Sequence, residues 1–193
     1  MRTKQIFVAY ERNGISQPLD YRFCPMCGNA LQTTDQNGNR KCAQCGFVRY
    51  KNPFPGVTIL IEKDNQVLLG KRQPSSFQGG KWCLPGGFIE YDEDFISAGR
   101  REVEEETGLR VSIQSILSVM TNYLAPHLHT LVVTMLAHVD SGTARPGDDI
   151  AELGWFPLVG PLPDMAFEAD RHIIERYNAM RVRGAPIDLD YAR

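Results

Sequence analysis

The sequence has 193 residues, of which 42% are apolar and 23% charged, and its formal net charge at pH 7 is −2. These values are ordinary for a globular protein and exclude a disordered or fibrous chain. The small net charge gives no reason to expect nucleic-acid or membrane-surface binding, and no apolar run approaches the ~20 residues of a membrane-spanning helix. The apolar patch near the start is too short for a signal peptide, so we expect a cytoplasmic protein. The length allows one domain of about 130 to 150 residues and a smaller module.

The first 52 residues divide into an N-terminal arm, residues 1–20, and a cysteine-containing segment, residues 21–52. The arm has one strand-like stretch, IFVAY. The second segment holds two Cys-x-x-Cys pairs, Cys24 and Cys27, then Cys42 and Cys45. The fourteen residues between the pairs are rich in Asn, Gln, Asp and Gly and cannot build a core alone.

Each cysteine pair is followed by a glycine, which lets the backbone turn tightly so that both sulfurs face one centre. Four thiolates in two such turns suit tetrahedral Zn²⁺ with no open position, which predicts a structural zinc ribbon. The alternative, four unrelated core cysteines, would require two such pairs by chance. Cys83 stands alone in a strand-like stretch and is predicted to be a core residue rather than a nucleophile.

The remaining chain predicts a β-rich domain over residues 53–184 and a C-terminal tail over 185–193. Strand patterns cover 56–62 and 66–72, joined as a hairpin by the turn-prone KDN, and later 110–119, 130–139 and LGWFPL. Helical spacing occurs from about Glu93 to Thr107 and within PDMAFEADRHIIERYNAMRV. The pattern therefore predicts a mixed α/β fold.

The first predicted helix is strongly acidic, and its geometry separates its carboxylates. At about 100° per residue, Glu102, Glu105 and Glu106 share one face beside the apolar stripe, whereas Glu104 points away. Carboxylates at the edge of a buried interface repel one another, with raised pKa values, unless a cation neutralises them. Hard oxygen ligands without His or Cys favour Mg²⁺ or Mn²⁺, and such a site suits attack of water on a phosphoanhydride. The alternative is a solvated charged helix in a binding module.

The spacing Gly87, Glu93 and then REVEEETGL at 101–109 resembles the Nudix box, GX5EX7REUXEEXGU with U an aliphatic residue, at every fixed position. The resemblance covers about residues 54–182. It implies a Nudix α/β/α sandwich with a mixed sheet, and hydrolysis of a nucleoside diphosphate linked to another moiety with Mg²⁺ or Mn²⁺.

The resemblance also implies roles for individual residues. Glu102, Glu105 and Glu106 would form the magnesium site, together with Gly87, which lets the loop backbone approach it. Arg101 would orient the carboxylates in a salt bridge with Glu93. Because those two Cα atoms would lie ~12 Å apart on a straight helix, Glu93 must fold back from the helix start. The catalytic group would then comprise Glu93, Arg101 and Glu105.

A zinc ribbon ahead of a Nudix domain resembles two branches of the family, NADH pyrophosphatases and zinc-ribbon proteins acting on FAD or ADP-ribose. The first branch carries SQPWPFPxS after the box, whereas this chain reads SVMTNYLAPHLHTLVV. The stretch CGFVRYKNP at 45–53 fits the second branch better. We therefore expect an ADP-ribose or FAD type substrate and release of AMP or another nucleoside monophosphate. NADH and dinucleoside polyphosphates are the alternatives. The resemblance further suggests a homodimer.

The sequence leaves two alternative roles for several residues. The catalytic base could be Glu105 or Glu152, the latter in the predicted loop before Trp155. Arg72 could contact a diphosphate or be a strand-end surface charge. His127 and His129, near a hairpin tip, could contact substrate or be loop residues without a role.

A hypothesis of another class is a nucleotide-sensing or RNA-binding regulator with a Nudix fold. The observation behind this hypothesis is the cluster of basic residues around the cysteines: Arg22, Arg40, Lys41, Arg49 and Lys51. The intact box argues against it, because the resemblance implies that sensors lose box residues.

Overall fold

The computed structural model describes residues 21–34, 36, 38–125, 128–181 and 183–188, together with the backbone of 7–10. The strands are β1 Phe7–Tyr10, β2 Leu31–Thr34, β3 Arg40–Cys42, β4 Val48–Arg49, β5 Phe54–Lys63, β6 Gln66–Arg72, β7 Trp82–Cys83, β8 Leu109–Ala125, β9 Leu128–Gly142, β10 Ile150–Pro157 and β11 Ala185–Pro186. The helices are α1 Phe95–Thr107 and α2 Glu168–Met180. No helix in these ranges is long and apolar enough to cross a membrane.

The described residues form two compact units. The larger unit comprises 7–10, 55–122 and the described residues from 131 onward, and it contains both helices. The smaller unit comprises 21–54 with 123–125 and 128–130.

The larger unit is organised around a mixed sheet. Among the described strands the order is β1-β8-β9-β5-β6-β10, with β11 beside β8 and β7 beside β6. β1 runs parallel to β8, whereas β10 runs antiparallel to β6. Because β5 and β6 are interior strands of the sheet, their long apolar runs are buried on both faces.

The alternation of side chains along β5 places the two helices on opposite faces of the sheet. Val57, Ile59 and Ile61 belong to one core cluster with α1, and Leu60 belongs to a second cluster with α2. The fold is therefore an α/β/α sandwich with a mixed sheet, which confirms the predicted fold class.

The β5–β6 hairpin and the ends of α1 follow local sequence signals. Asp64 and Asn65 both have positive φ, 50° and 63°, as a two-residue type I′ turn requires. Asp94 caps α1 by accepting hydrogen bonds from the backbone N–H groups of Ile96 and Ser97, and Gly108 ends it at φ 68°. Because Asp94 is the cap, α1 begins two residues later than predicted.

The long strands differ from the sequence-based prediction. β8 and β9 extend well beyond the predicted 110–119 and 130–139, and β10 begins at Ile150 rather than at Leu153. The helix α2 begins at Glu168, later than the apolar spacing from Ala166 indicated. Strand extensions of this kind depend on pairing with neighbours, which periodicity within one segment does not reveal.

The smaller unit contains the three-stranded sheet β2-β3-β4 and the four cysteines. Its core is small, since Cys24, Leu31 and Cys42 are its buried apolar residues, with Phe47 packed against them. A core of this size cannot stabilise a module by itself.

Candidate active site

The loop that follows β7 is tied to the sheet by backbone hydrogen bonds. Ile59 N donates to the carbonyl of Pro85 over 2.8 Å, and Val57 N donates to that of Gly87 over 2.9 Å. On the other side, the buried Asp170 of α2 accepts a hydrogen bond from Leu84 N over 3.0 Å. The backbone at 84–87 is therefore fixed between β5 and α2.

This loop lies directly against the carboxylates of α1. Gly86 N donates to Oε2 of Glu106 over 2.9 Å. A Cβ placed on Gly87 would lie 2.5 Å from Oε1 of Glu102, well inside van der Waals contact. A side chain at position 87 would displace this carboxylate from the place it occupies.

The three predicted metal ligands differ in environment. Glu106 is 2% exposed and Glu102 8%, whereas the side chain of Glu105 is 49% exposed. Burial raises the pKa of Glu106 to about 8, and the nearby Glu102 and Asp149 act in the same direction. Burial also raises the pKa of Glu102. A cation bound beside these carboxylates would favour their ionised forms.

Arg101 is the cation at the centre of this carboxylate cluster. Its guanidinium lies 2.5 Å from Glu93, 2.9 Å from Glu102 and 3.0 Å from Glu105. The hydrogen bond from Arg101 lowers the pKa of Glu93, which precedes the helix and folds back as the resemblance requires. One arginine therefore faces three carboxylates while Glu106 lies beside them, and a cation would offset the remaining negative charge.

An open cleft of about 600 Å³ lies over this cluster. Its lining residues are Phe88, Glu90, Arg101, Glu102, Glu105 and Asp148. Asp148 has φ 46°, and its carbonyl accepts a hydrogen bond from Gln73 over 2.8 Å. Sequence reasoning did not select Asp148; the only available signal was the Pro-Gly-Asp-Asp turn sequence.

The segment that carries Asp148 is attached to the end of α1. Arg145 N donates to Thr107 O over 2.9 Å, and Gly147 N donates to Glu106 O over 3.0 Å. A side chain on Gly147 would collide with the carbonyl of Glu105. These bonds satisfy carbonyls that a helix end leaves unpaired, and they bring Asp148 to the cleft.

Arg72 does not belong to the cleft lining. Its Nη2 lies 2.5 Å from Oδ2 of Asp149, and its Nε donates to Phe77 O over 2.7 Å. Its side chain is 13% exposed, which contradicts the reading as a strand-end surface charge. The other oxygen of Asp149, Oδ1, is buried without a hydrogen-bond partner among the described residues.

Two other candidates lie apart from the cleft. Glu152 is within β10 rather than in a loop, so that part of the prediction is wrong, and its carboxylate pairs with Lys71 at 2.8 Å. Cys83 is buried, as predicted, and burial strongly raises the pKa of its thiol, which opposes a nucleophilic role.

The hairpin-tip histidines are only partly described. His127 lies outside the described residues. His129 stacks on Tyr123 with ring centroids 4.2 Å apart, so Tyr123 packs within its own unit. Burial lowers the pKa of His129.

The four cysteines of the smaller unit converge. Their sulfurs all lie within 4.8 Å of one another, with Cys24 and Cys45 3.5 Å apart and Cys27 and Cys42 3.6 Å apart. Tetrahedral Zn²⁺ with Zn–S bonds of ~2.3 Å needs sulfurs about 3.8 Å apart, so the cluster fits zinc with little adjustment. The Asn29 amide lies 3.5 Å from the Cys27 sulfur, and its hydrogen bond lowers the pKa of that thiol.

The chain is similar in sequence to known proteins of one family. The model of a family described as NUDIX domain matches residues 52–177. An ADP-ribose pyrophosphatase of Methanocaldococcus jannaschii is 38% identical over 129 residues, which are 66% of this chain and 75% of that protein. A Pseudomonas aeruginosa protein named NAD-capped RNA hydrolase NudC is 34% identical over 163 residues, 83% of this chain. The chain spans only 56% of the length of that relative.

A solved structure gives the same picture of the fold. The crystal structure of a NUDIX hydrolase from Nitrosomonas europaea superposes with a TM-score of 0.73 at 29% identity. The match covers 86% of this chain and 95% of that one.

Proposed function

The chain belongs to the NUDIX family, and on that premise we propose that it hydrolyses the pyrophosphate bond of an ADP-ribose or FAD type nucleoside diphosphate derivative. The products would be AMP, or another nucleoside monophosphate, and the phosphorylated remainder. The observation that carries the proposal is the open cleft over the α1 carboxylates, with the glycine loop against them.

The carboxylate cluster fits a hard divalent cation. Glu102, Glu105 and Glu106 would hold Mg²⁺ or Mn²⁺, because all three offer oxygen ligands and a cation would favour the ionised forms of the two buried ones. Gly87 would contribute by leaving room for Glu102. When bound, the ion would neutralise charge on the phosphate oxygens and activate water.

The side chains around the cluster would then perform the remaining work. Arg101 holds Glu102 and Glu105 in place and is itself fixed by Glu93. Glu105, the most exposed of the three glutamates, would accept a proton from the attacking water. The oxygen of that water would bond to phosphorus as the bridging P–O bond breaks. Asp148 lines the same cleft and would face a bound substrate.

Arg72 would act through Asp149 rather than touch the diphosphate. Its guanidinium is occupied by Asp149 and by the carbonyl of Phe77, and it lies outside the cleft lining. Since Asp148 is the neighbour of Asp149, the ion pair would hold the acidic segment at the cleft. We therefore assign Arg72 a positioning role.

The relatives support two substrate classes. The relative named ADP-ribose pyrophosphatase, three quarters of which this chain covers, favours the ADP-ribose type. The relatives named NAD-capped RNA hydrolase favour an NAD-type dinucleotide as the second candidate, although the chain spans little more than half of each. Both classes contain a pyrophosphate between two nucleoside or sugar groups, which is the bond the cleft would address.

A substrate screen with Mg²⁺ tests the proposal. ADP-ribose, FAD, NADH and diadenosine polyphosphates are compared for the parent protein and for Glu105→Gln. We expect AMP from at least one substrate and a loss of about 10²- to 10⁴-fold in kcat/KM on substitution, the usual range for a general base. Reaction in ¹⁸O-labelled water reports which phosphorus is attacked, because only that phosphate acquires the label.

Glu104→Gln is the matched control. Glu104 lies on the same helix, but its side chain is 53% exposed and pairs with Arg110 at 3.0 Å, away from the cleft. Unchanged turnover is expected. If no substrate is hydrolysed, the enzyme proposal fails and the nucleotide-sensing alternative takes its place.

We further propose that the four-cysteine cluster holds one structural Zn²⁺ and that the protein is a cytoplasmic homodimer. None of the five cysteines forms a disulfide, which suits a reducing compartment. Sedimentation equilibrium at micromolar concentration tests the dimer, and a monomer there would refute it.

A further inference from the structure

The smaller unit exposes aromatic side chains that its own core does not use. Tyr21 is 46% exposed, Phe23 66% and Tyr50 57%. Several large exposed apolar groups on one small module are typical of an interaction surface, whereas a single one would need no explanation.

Two of these rings share one side of an extended segment. The carbonyl of Arg22 accepts a hydrogen bond from Leu31 N over 2.9 Å, and Phe23 forms a β-bridge with Ala30. Since side chains alternate along an extended chain, Tyr21 and Phe23 point to the same side. The guanidinium of Arg49 lies over the Tyr21 ring, 4.8 Å from its centroid. We call the surface formed by Tyr21, Phe23 and Arg49 the ribbon face.

The charge of this segment is opposite to that of the chain. Residues 21–54 contain five basic residues and one acidic residue, a formal charge of +4, although the whole chain carries −2. A zinc ion with four thiolates would lower the segment to +2, which is still positive.

Aromatic rings beside cations suit one class of partner in particular. Single-stranded nucleic acid offers unstacked bases for the rings and phosphates for the arginines, whereas a duplex hides its base faces. A second copy of this chain would bring the same positively charged segment against this one, and the like charges would repel. We propose that the ribbon face binds single-stranded nucleic acid, an inference that goes beyond the proposed hydrolysis and does not depend on it.

Binding of a fluorescein-labelled, unstructured 12-nucleotide RNA, followed by anisotropy, tests the proposal, and a single-stranded DNA of the same sequence shows whether the sugar matters. The full-length chain with Glu105→Gln is used so that turnover does not interfere. Because stacking on each ring favours binding, Tyr21→Ala/Phe23→Ala is expected to weaken the affinity by about 10- to 100-fold or more. Arg49→Gln should reduce the slope of log K against log salt by about 0.7, the value for one phosphate of a single strand.

Tyr91→Ala is the matched control, because Tyr91 is fully exposed but lies in the larger unit. It should bind RNA as the parent does. Zinc content, measured for every variant, shows that the ribbon is intact.

Equal affinity of the parent and of Tyr21→Ala/Phe23→Ala would overturn the proposal, as would tighter binding of a duplex of the same sequence. If that double substitution instead converts a dimer to a monomer without changing RNA affinity, the ribbon face is a contact between copies. Hydrolysis of ADP-ribose, measured separately on the parent chain, tests the proposed function without bearing on this result.

Discussion

Substituting alanine for Gly87 tests the proposed metal site with little disturbance of the fold. The added Cβ would lie 2.5 Å from Oε1 of Glu102 and 2.7 Å from both Cδ and Oε2, where ordinary contact begins at 3.4 Å. The whole carboxylate must therefore retreat by about 1 Å. A displacement of that size at a catalytic group costs on the order of 10²-fold in rate.

The cost to stability should be small. The atoms in the way belong to the far end of a flexible side chain, and Gly87 is not among the glycines with positive φ. We expect the free energy of unfolding to change by less than about 1 kcal/mol, because alanine also restricts the unfolded chain. Gly86→Ala provides the contrast, since Gly86 has φ 148° and its Cβ would collide with the carbonyl of Val57.

The assay compares kcat/KM, Mg²⁺ dependence and urea unfolding for the parent, Gly87→Ala, Glu102→Asp and the double variant. Aspartate is one methylene shorter, so Glu102→Asp should be less harmful in the Gly87→Ala background than in the parent. A coupling of this sign in the double-mutant cycle would show that the two positions act on one another directly. Gly87→Ala with activity within about threefold of the parent would refute the reasoning, since the displacement predicts a far larger loss.

Three further predictions concern other parts of the chain. Arg72→Ala should lower the free energy of unfolding, measured with urea, by about 2 kcal/mol, because Asp149 loses its partner. Adding Asp149→Asn should restore part of the lost stability. A higher KM at unchanged stability would indicate that Arg72 contacts the substrate instead. Asp94→Ala should cost about 1 kcal/mol, or ~2–4 °C in Tm, through loss of the α1 cap. The backbone hydrogen bond from Ser97 lowers the pKa of Asp94 in the folded protein. The stability difference between the parent and Asp94→Ala should therefore be at its maximum above the ordinary pKa of 3.8 and disappear as the pH falls through the folded pKa. A stability difference that persists at pH 2 would contradict this prediction. Elemental analysis should find about one zinc per chain, and Cys42→Ser should lose the zinc together with hydrogen-exchange protection in β2 to β4; a zinc-free yet fully protected ribbon would exclude the structural role.

The features that the sequence predicted correctly depend on neighbours along the chain. The Asp64–Asn65 turn and the end of α1 at Gly108 each follow from conformational preferences within a few residues. The convergence of the cysteines is similar, because each Cys-x-x-Cys turn directs its two sulfurs to one side and a short sheet brings the turns together.

Helical periodicity also grouped Glu102, Glu105 and Glu106, but it could not rank them. All three project from one face, yet two are buried and Glu105 is largely exposed. The difference depends on the loop at 84–87 and on the segment at 145–149, which cover Glu106 and leave Glu105 open. Burial therefore depends on segments that the helical pattern does not contain.

Tertiary structure alone decided the surroundings of the cleft. Asp148 lines the cleft because its segment is hydrogen-bonded to the end of α1. Arg72 lies outside the cleft lining because the pairing of β6 with β10 places it opposite Ile150, next to Asp149. Gly87 meets Glu102 across fifteen positions of sequence through the pairing of its loop with β5. The residue types needed for the chemistry could be recognised from their spacing along one helix. The distances between them and the rest of the site arise from sheet register and loop closure, which bring together residues that no local pattern connects.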